Sequence, residues 1–264
     1  MKPIFLLIFI LIALRSTGQF NKVEKGILPA HRMSFYDRDI NNFKNDTCFI
    51  EVNTFEISEL ITFKQYSMFL KEVKKDSTKE YYDLLQIKNI QTENTSFKFK
   101  PIKKLPIINI NWLQANEYCK WLTEKDENYT YELPNIKQWF YCFNNSELLN
   151  FNFPNKLYSE WLYNTKSETP IDCENSQIDF SYPLDFDILK MDSSEFIKEF
   201  PTKALLRKHI VGTSWMFPNA HNSEMYKYYY FSFYANEGYP SVGFRIVRIK
   251  NKIDTELKTI INNK

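Results

Sequence analysis

The stretch from Leu105 to Phe143 limits the possible folds of this chain most tightly, because it holds two helix starts of one design. It runs LPIINI, NWLQANEYCKWL, a polar connection, and YELPNIKQWFYCF. Asn111 and Asn135 are each followed at the third position by Gln, Gln114 and Gln138. That is the reciprocal pairing that satisfies the first free N–H groups of a helix. Ala115, Tyr118, Cys119 and Leu122 then fall on one helical face, as do Ile136, Trp139, Phe140 and Phe143. Pro134 holds Leu133 extended at the corner between them. Ile107, Ile108 and Ile110 read as a short strand leading in, and 123–130 as a polar loop. A third helix of the same kind starts upstream, with Thr62 and Gln65 as its box and Tyr66, Phe69, Leu70 and Val73 as its stripe. Lys74 and Lys75 stand at its C-terminal end, where cations suit the helix dipole.

The rest of the chain is strand-like or irregular. CFIEVNTFEIS, from Cys48, alternates as a strand pair or a bent strand. His31 to Tyr36 reads as a strand or loop, and 76–104 as a charged excursion with a short helix at Tyr81 to Ile87. Tyr158 to Leu162 and Ile210 to Trp215 read as further strands, and Tyr226 to Tyr234 is an aromatic run, half of which faces the core if it is a strand. Ser241 to Ile249 is expected to close the fold, with Val242, Phe244 and Ile246 on one side. Residues 164–200 lack periodicity and read as an irregular insertion, and 251–264 as a polar tail. A chain of 264 residues, 44% apolar and 17% aromatic, has the material for one sizeable core. Its 34 basic and 32 acidic residues leave a net charge of +2, which argues against nucleic acid as the main partner.

The first residues bear on compartment. Lys2 precedes an apolar run, Ile4 to Leu14, that is too short to span a bilayer, and Ser16-Thr17-Gly18 supplies small residues after it. The expectation is a signal peptide over 1–19, hence an exported, periplasmic or extracellular protein; the competing reading is a membrane anchor. No Cys ends the run, so a lipid anchor is not expected, nor an integral membrane protein after cleavage. Cys48, Cys119, Cys142 and Cys173 allow three disulfide pairings, although Cys119, on an apolar helix face, is expected to be a buried free thiol. Asn45, Asn94, Asn128 and Asn144 each open an N-x-S/T triplet.

Several blocks, in order, carry a resemblance. Phe55, Ile57, Ile61-Thr62, Gln65-Tyr66 and Phe69 lead to Pro106 to Leu122, and then to Leu133-Pro134-Asn135 to Trp139. Ser159-Glu160-Trp161, Gly212-Thr213-Ser214-Trp215 and Val242 to Val247 complete the series. Together they resemble the formylglycine-generating enzyme family, also called sulfatase-modifying-factor domains. The resemblance implies an α+β fold, an elaborated C-type-lectin-like fold, filling residues 20–250 as one domain. The departures are equally plain. The family's oxidase members hold copper with two cysteines shortly after "G-G-S-W". Those positions fall near Phe217 and Asn222, and no Cys comes after Cys173. The iron-dependent branch needs clustered His and a carboxylate, whereas His31, His209 and His221 are scattered. The family's calcium motif "N-x-x-E-W" keeps Glu160 but has Leu157 in place of the Asn, and one carboxylate is a poor calcium cage.

These departures shape the functional expectations. No residue is assigned a catalytic, cofactor or metal role. No cofactor is expected, calcium alone being left open at Glu160. Arg245 is expected to be structural, paired at the core rim. The leading reading is a secreted, non-catalytic sulfatase-modifying-factor-like domain, acting in binding or assembly in a bacterial cell envelope with a protein or glycan partner. The resemblance implies such members, gliding-motility proteins among them. The alternatives are a divergent metal-dependent oxidase of the formylglycine-generating type, and a glycan-binding module using the tyrosines of 226–234.

Overall fold

All three expected capping boxes form. The computed structural model describes residues 20–29, 49–87, 90–92, 95–97, 102–145, 159–161, 207–211 and 230–251. Helix α1 is Phe63–Asp76, α2 Lys79–Leu85, α3 Trp112–Lys125 and α4 Ile136–Asn144. At α3 the Gln114 amide N–H donates to Asn111 Oδ1 (2.8 Å) and the Asn111 N–H donates to Gln114 Oε1 (3.0 Å). The Asn135–Gln138 box at α4 has both bonds at 2.9 Å. Thr62 and Gln65 do the same for α1. Helix α2 starts on Thr78, slightly earlier than the expected Tyr81 to Ile87, because the Thr78 hydroxyl takes the Tyr81 N–H at 3.3 Å.

Among the described residues, two four-stranded sheets organise the remainder. The first has the order β1 (Phe20–Val23), β4 (Phe55–Ser58), β12 (Val247–Lys250), β7 (Tyr129–Glu132), all antiparallel. The second runs β10 (Tyr230–Tyr234), β9 (Arg207–Val211), β8 (Ser159–Trp161), β11 (Val242–Gly243), with β11 parallel to β8. β2 (Gly26–Pro29) pairs with β3 (Phe49–Val52), and β5 (Ile90–Thr92) with β6 (Thr95–Phe97). The CFIEVNTFEIS run is therefore a pair of strands that join different partners rather than each other. Among the described residues, two apolar cores result. One gathers α1, α2 and α3 with Ile107, Ile110, Phe244 and Ile246. The other packs α4 on β1 to β4, with Val211 and Val247. Each fully buried aliphatic or aromatic side chain contributes about 1.5–3 kcal/mol.

Two expected strands are not continuous. Ile107 to Ile110 forms no ladder; the nearest pairing is one bridge, Thr62 to Pro106. Ser241 to Ile249 divides into β11 and β12, with 244–246 between them in no ladder. The cause is a clasp that uses their backbones elsewhere. The Ile107 N–H donates to Ile61 O (2.7 Å), the Ile61 N–H to Phe244 O (3.0 Å), and the Ser58 N–H to Ile246 O (2.9 Å). Asn109 turns the chain at φ 57°, a left-handed conformation that Asn tolerates better than most residues. Gly243 lies so close that a Cβ there would sit 2.5 Å from Ile107 O. Both faces of these segments are buried, so alternation is a poor guide to them. The expected polar loop 123–130 also ends early, since β7 begins at Tyr129.

Candidate functional site

The second sheet holds several of the residues the sequence singles out. Glu160 lies on β8 between Val211 of β9 and Gly243 of β11. His209 lies on β9, opposite Ser232 of β10. The aromatic run supplies β10 through its second half, Tyr230–Tyr234. His31, His221, Leu157, Phe217, Asn222, Cys48, Cys173, the Gly212–Trp215 block, Tyr226 to Tyr229 and 164–200 lie outside the described residues. Arg245 is fully buried, and its Nη1 reaches Ser58 O and Glu59 Oε2, each at 3.4 Å. Glu59 is half-exposed, so the guanidinium pairs at the core rim as expected. Cys119 and Cys142 are buried thiols outside any disulfide, and burial pushes the Cys119 thiol well above its ordinary range, away from thiolate chemistry. Among the described residues, no three His, Cys, Asp or Glu side chains gather as a metal site requires.

Within this sheet stands a residue that motif reading misses. Lys208 of β9 places its Nζ 4.3 Å from the ring centre of Trp112, the first residue of α3. Burial lowers its pKa to about 8. Strand alternation is the signal that finds it, because Lys208 shares its face with Ile210, which is buried. One turn along α3 from Trp112 is Asn116, only 1% exposed, and neither its Oδ1 nor its Nδ2 meets a hydrogen-bond partner. Buried amides are nearly always bonded, so this one is an uncompensated cost within the helix.

A second place has a more complete lining. Where α1 packs on α3, a cleft of about 370 Å³ opens. Phe69, Glu72, Val73 and Asp76 face it from α1, at successive helical i, i+3, i+4 and i+7 positions. Glu117, Lys120, Trp121 and Glu124 repeat that spacing from α3, with Lys125 next to them. Tyr81 of α2 joins from the end. The Phe69 and Trp121 rings lie 5.4 Å apart and make an apolar wall. Glu117 is 2% exposed and accepts a hydrogen bond from the Tyr81 hydroxyl. Burial, and the Glu117 charge after it, push the Tyr81 phenol well above its usual range, so it stays a donor. The Lys125 ammonium pairs with Glu72 and lies 5.2 Å from the Trp121 ring centre. Trp121 Nε1–H donates to the same Glu72 oxygen at 3.3 Å. Ser77, the one hydroxyl besides Tyr81 in the lining, is used as a cap, donating to Val73 O at 2.6 Å.

Comparison with known proteins places this architecture. No curated protein matches the chain in sequence. PvdO from Pseudomonas aeruginosa is similar in structure over 89% of this chain and 96% of its own, at 13% identity and a TM-score of 0.51. CarF aligns over 88% and 98% at 12% identity and TM-score 0.49. Treponema denticola variable protein 1 aligns over 86% and 94% at 13% identity and TM-score 0.47. At such identity the PvdO likeness is one of fold. Residues 29–178 match the family described as the sulfatase-modifying factor enzyme 1-like domain. With more than half its length matched, the chain belongs to that family, and its α+β architecture is the family's C-type-lectin-like fold.

Proposed function

We propose that this chain is an exported, non-catalytic member of its family that works by binding, in assembly at a bacterial cell envelope. The observation that carries the reading is where the sulfur stands. The positions near which the family's oxidases place their copper thiolates are Phe217 and Asn222, and no Cys comes after Cys173. Of the cysteines present, Cys119 and Cys142 are sealed in the two cores. Soft Cu(I) prefers thiolate ligands, and a buried thiol of raised pKa offers little of that chemistry. Export is supported by the apolar run at 4–14, with Lys2 before it and Ser16-Thr17-Gly18 after it.

The test is to express the full chain in a bacterial host, purify it from the periplasm, and offer it Cu(I) and then Ca²⁺. The mature mass is expected to begin near residue 20, with copper well below one ion per chain. Stoichiometric, tightly held copper overturns the non-catalytic reading in favour of a divergent oxidase. A cytoplasmic, uncleaved product overturns export. Glycan binding that is lost in a Tyr→Ala series across 226–234 replaces a protein partner with a sugar.

A further inference from the structure

We infer that the turn at 102–105, together with the start of α1, is a docking point for the surface of an anionic phospholipid bilayer. It has this character whether or not the chain is catalytic or exported. The turn is fixed in place by backbone bonds. The Leu105 N–H donates to Ile102 O at 3.0 Å, which puts Lys103 and Lys104 at the corner. The Phe63 N–H donates to Leu105 O (3.1 Å) and the Lys64 N–H to Lys103 O (3.0 Å). Two of the N–H groups that α1 leaves open at its start are thereby satisfied by the turn.

Two independent observations point outward from it. The first is apolar. Ile102 is 57% exposed and Leu105 43%, so two aliphatic side chains flank a turn where small polar residues are usual. A single exposed aliphatic, such as Ile27 on β2, is ordinary. Two of them at the ends of one turn, with lysines between, match a surface that dips its apolar groups into the headgroup boundary of a bilayer. The second observation is charge. Lys64, Lys103 and Lys104 are exposed, and none of them is in an ion pair among the described residues. Helix α1 has no acidic residue in its first turn, and 102–116 contains no Asp or Glu. The positive end of a helix dipole is ordinarily met by acidic side chains; here three cations join it instead. Lipid phosphates complement those lysines, and the layer beneath them takes Ile102 and Leu105. An acidic protein would meet the lysines and leave both aliphatics in water. No described helix is long and apolar enough to cross a membrane, so the contact is a peripheral one.

The test is cosedimentation of the purified full chain with phosphatidylcholine vesicles, with and without phosphatidylglycerol. Binding is expected to require phosphatidylglycerol and to fall as salt rises. Lys103→Gln combined with Lys104→Gln is expected to weaken it about thirtyfold, about fivefold for each lysine. Ile102→Ser combined with Leu105→Ser is expected to weaken it about tenfold. All four side chains are exposed, so the fold tolerates both pairs. Ile27→Ser is the control and is expected to leave binding unchanged. An apolar segment retained at 4–14 binds both kinds of vesicle alike, so the difference between them reads the turn. Equal binding to both vesicles, or no loss in the lysine pair, overturns the inference. A loss confined to the lysine pair, with polyglutamate bound as well, overturns it in favour of an acidic protein.

Discussion

Helices α3 and α4 start on the same Asn/Gln box, yet they bury different things. Helix α4 puts Ile136, Trp139, Phe140 and Cys142 inside, and its one buried polar side chain, Gln138, serves the cap. Helix α3 is buried on nearly every side and takes Gln114, Asn116 and Glu117 in with it. Gln114 has a second structural task, since its Nε2 ties α2 down through Leu84 O and Gln86 O, each at 3.0 Å. Asn116 has no such task, and Glu117 turns toward the cleft. Burying a carboxylate or an unpaired amide costs stability. Helix α4 is thus packing throughout, while α3 takes buried polar groups into the core at a cost to stability.

The contrast can be overturned first at α4. Trp139 is 1% exposed and stacks with Phe143 at 5.2 Å between ring centroids. Trp139→Ala is expected to cost about 3–5 kcal/mol, read as the shift in the urea midpoint. A loss below about 1 kcal/mol would mean that α4 is not the packing element described here.

The α3 side is expected to move in the opposite direction. Lys208 lies over Trp112 with its pKa lowered by burial to about 8, from an ordinary 10.5. Between those values the unfolded chain binds the proton and the folded one does not, so the native protein gains stability as pH rises through that window. Below pH 8 both states are charged and the full penalty remains. Lys208→Met is therefore expected to stabilise the protein at pH 7 by about 2 kcal/mol, after allowing for the lost ring contact, with the gain vanishing above about pH 10.5. Urea unfolding at pH 7 and pH 10.5 checks both the sign and the window.

The smallest effect discriminates most finely between the two helices. Asn116→Leu keeps the branching of the side chain and removes an amide whose atoms have no partner. It is expected to be neutral or to stabilise by up to about 1 kcal/mol. The equivalent exchange of a satisfied buried polar group, Gln114→Leu, is expected to destabilise by about 1–3 kcal/mol, because the α3 box and both ties to α2 go with it. If the two variants behave alike, the buried polar groups of α3 are not of two kinds.

Much of this architecture is legible in the chain. Capping boxes are local chemistry, so Thr62, Asn111 and Asn135 can be placed without knowing any neighbour, and the apolar stripes behind them come with the boxes. Strands are harder to place. β7 reads YTYE, with only Tyr131 fully buried, and it lies at the edge of its sheet, where polar residues are tolerated. Ile107 to Ile110 looks like a strand because it is buried on all sides, but its hydrogen bonds go to Ile61 and Tyr239 rather than to a ladder. The cleft is not legible, for a related reason. Glu72 and Asp76, or Glu117 and Glu124, each read as the solvated side of one helix; only the packing of α1 on α3 turns them toward each other. Lys208 is missed by motifs because a lone lysine in a strand is ordinarily solvent-facing, and only its alternation with Ile210 gives it away.

Strand β12, residues 247–250, lies in the middle of its sheet, with β4 on one flank and β7 on the other. A polypeptide still emerging from the ribosome has both of those flanking strands long before it has the one that joins them. Any product released short of residue 247 is left with two raw strand edges, the kind of surface that templates clumping and attracts proteases. Completeness of synthesis is thus checked by the topology itself.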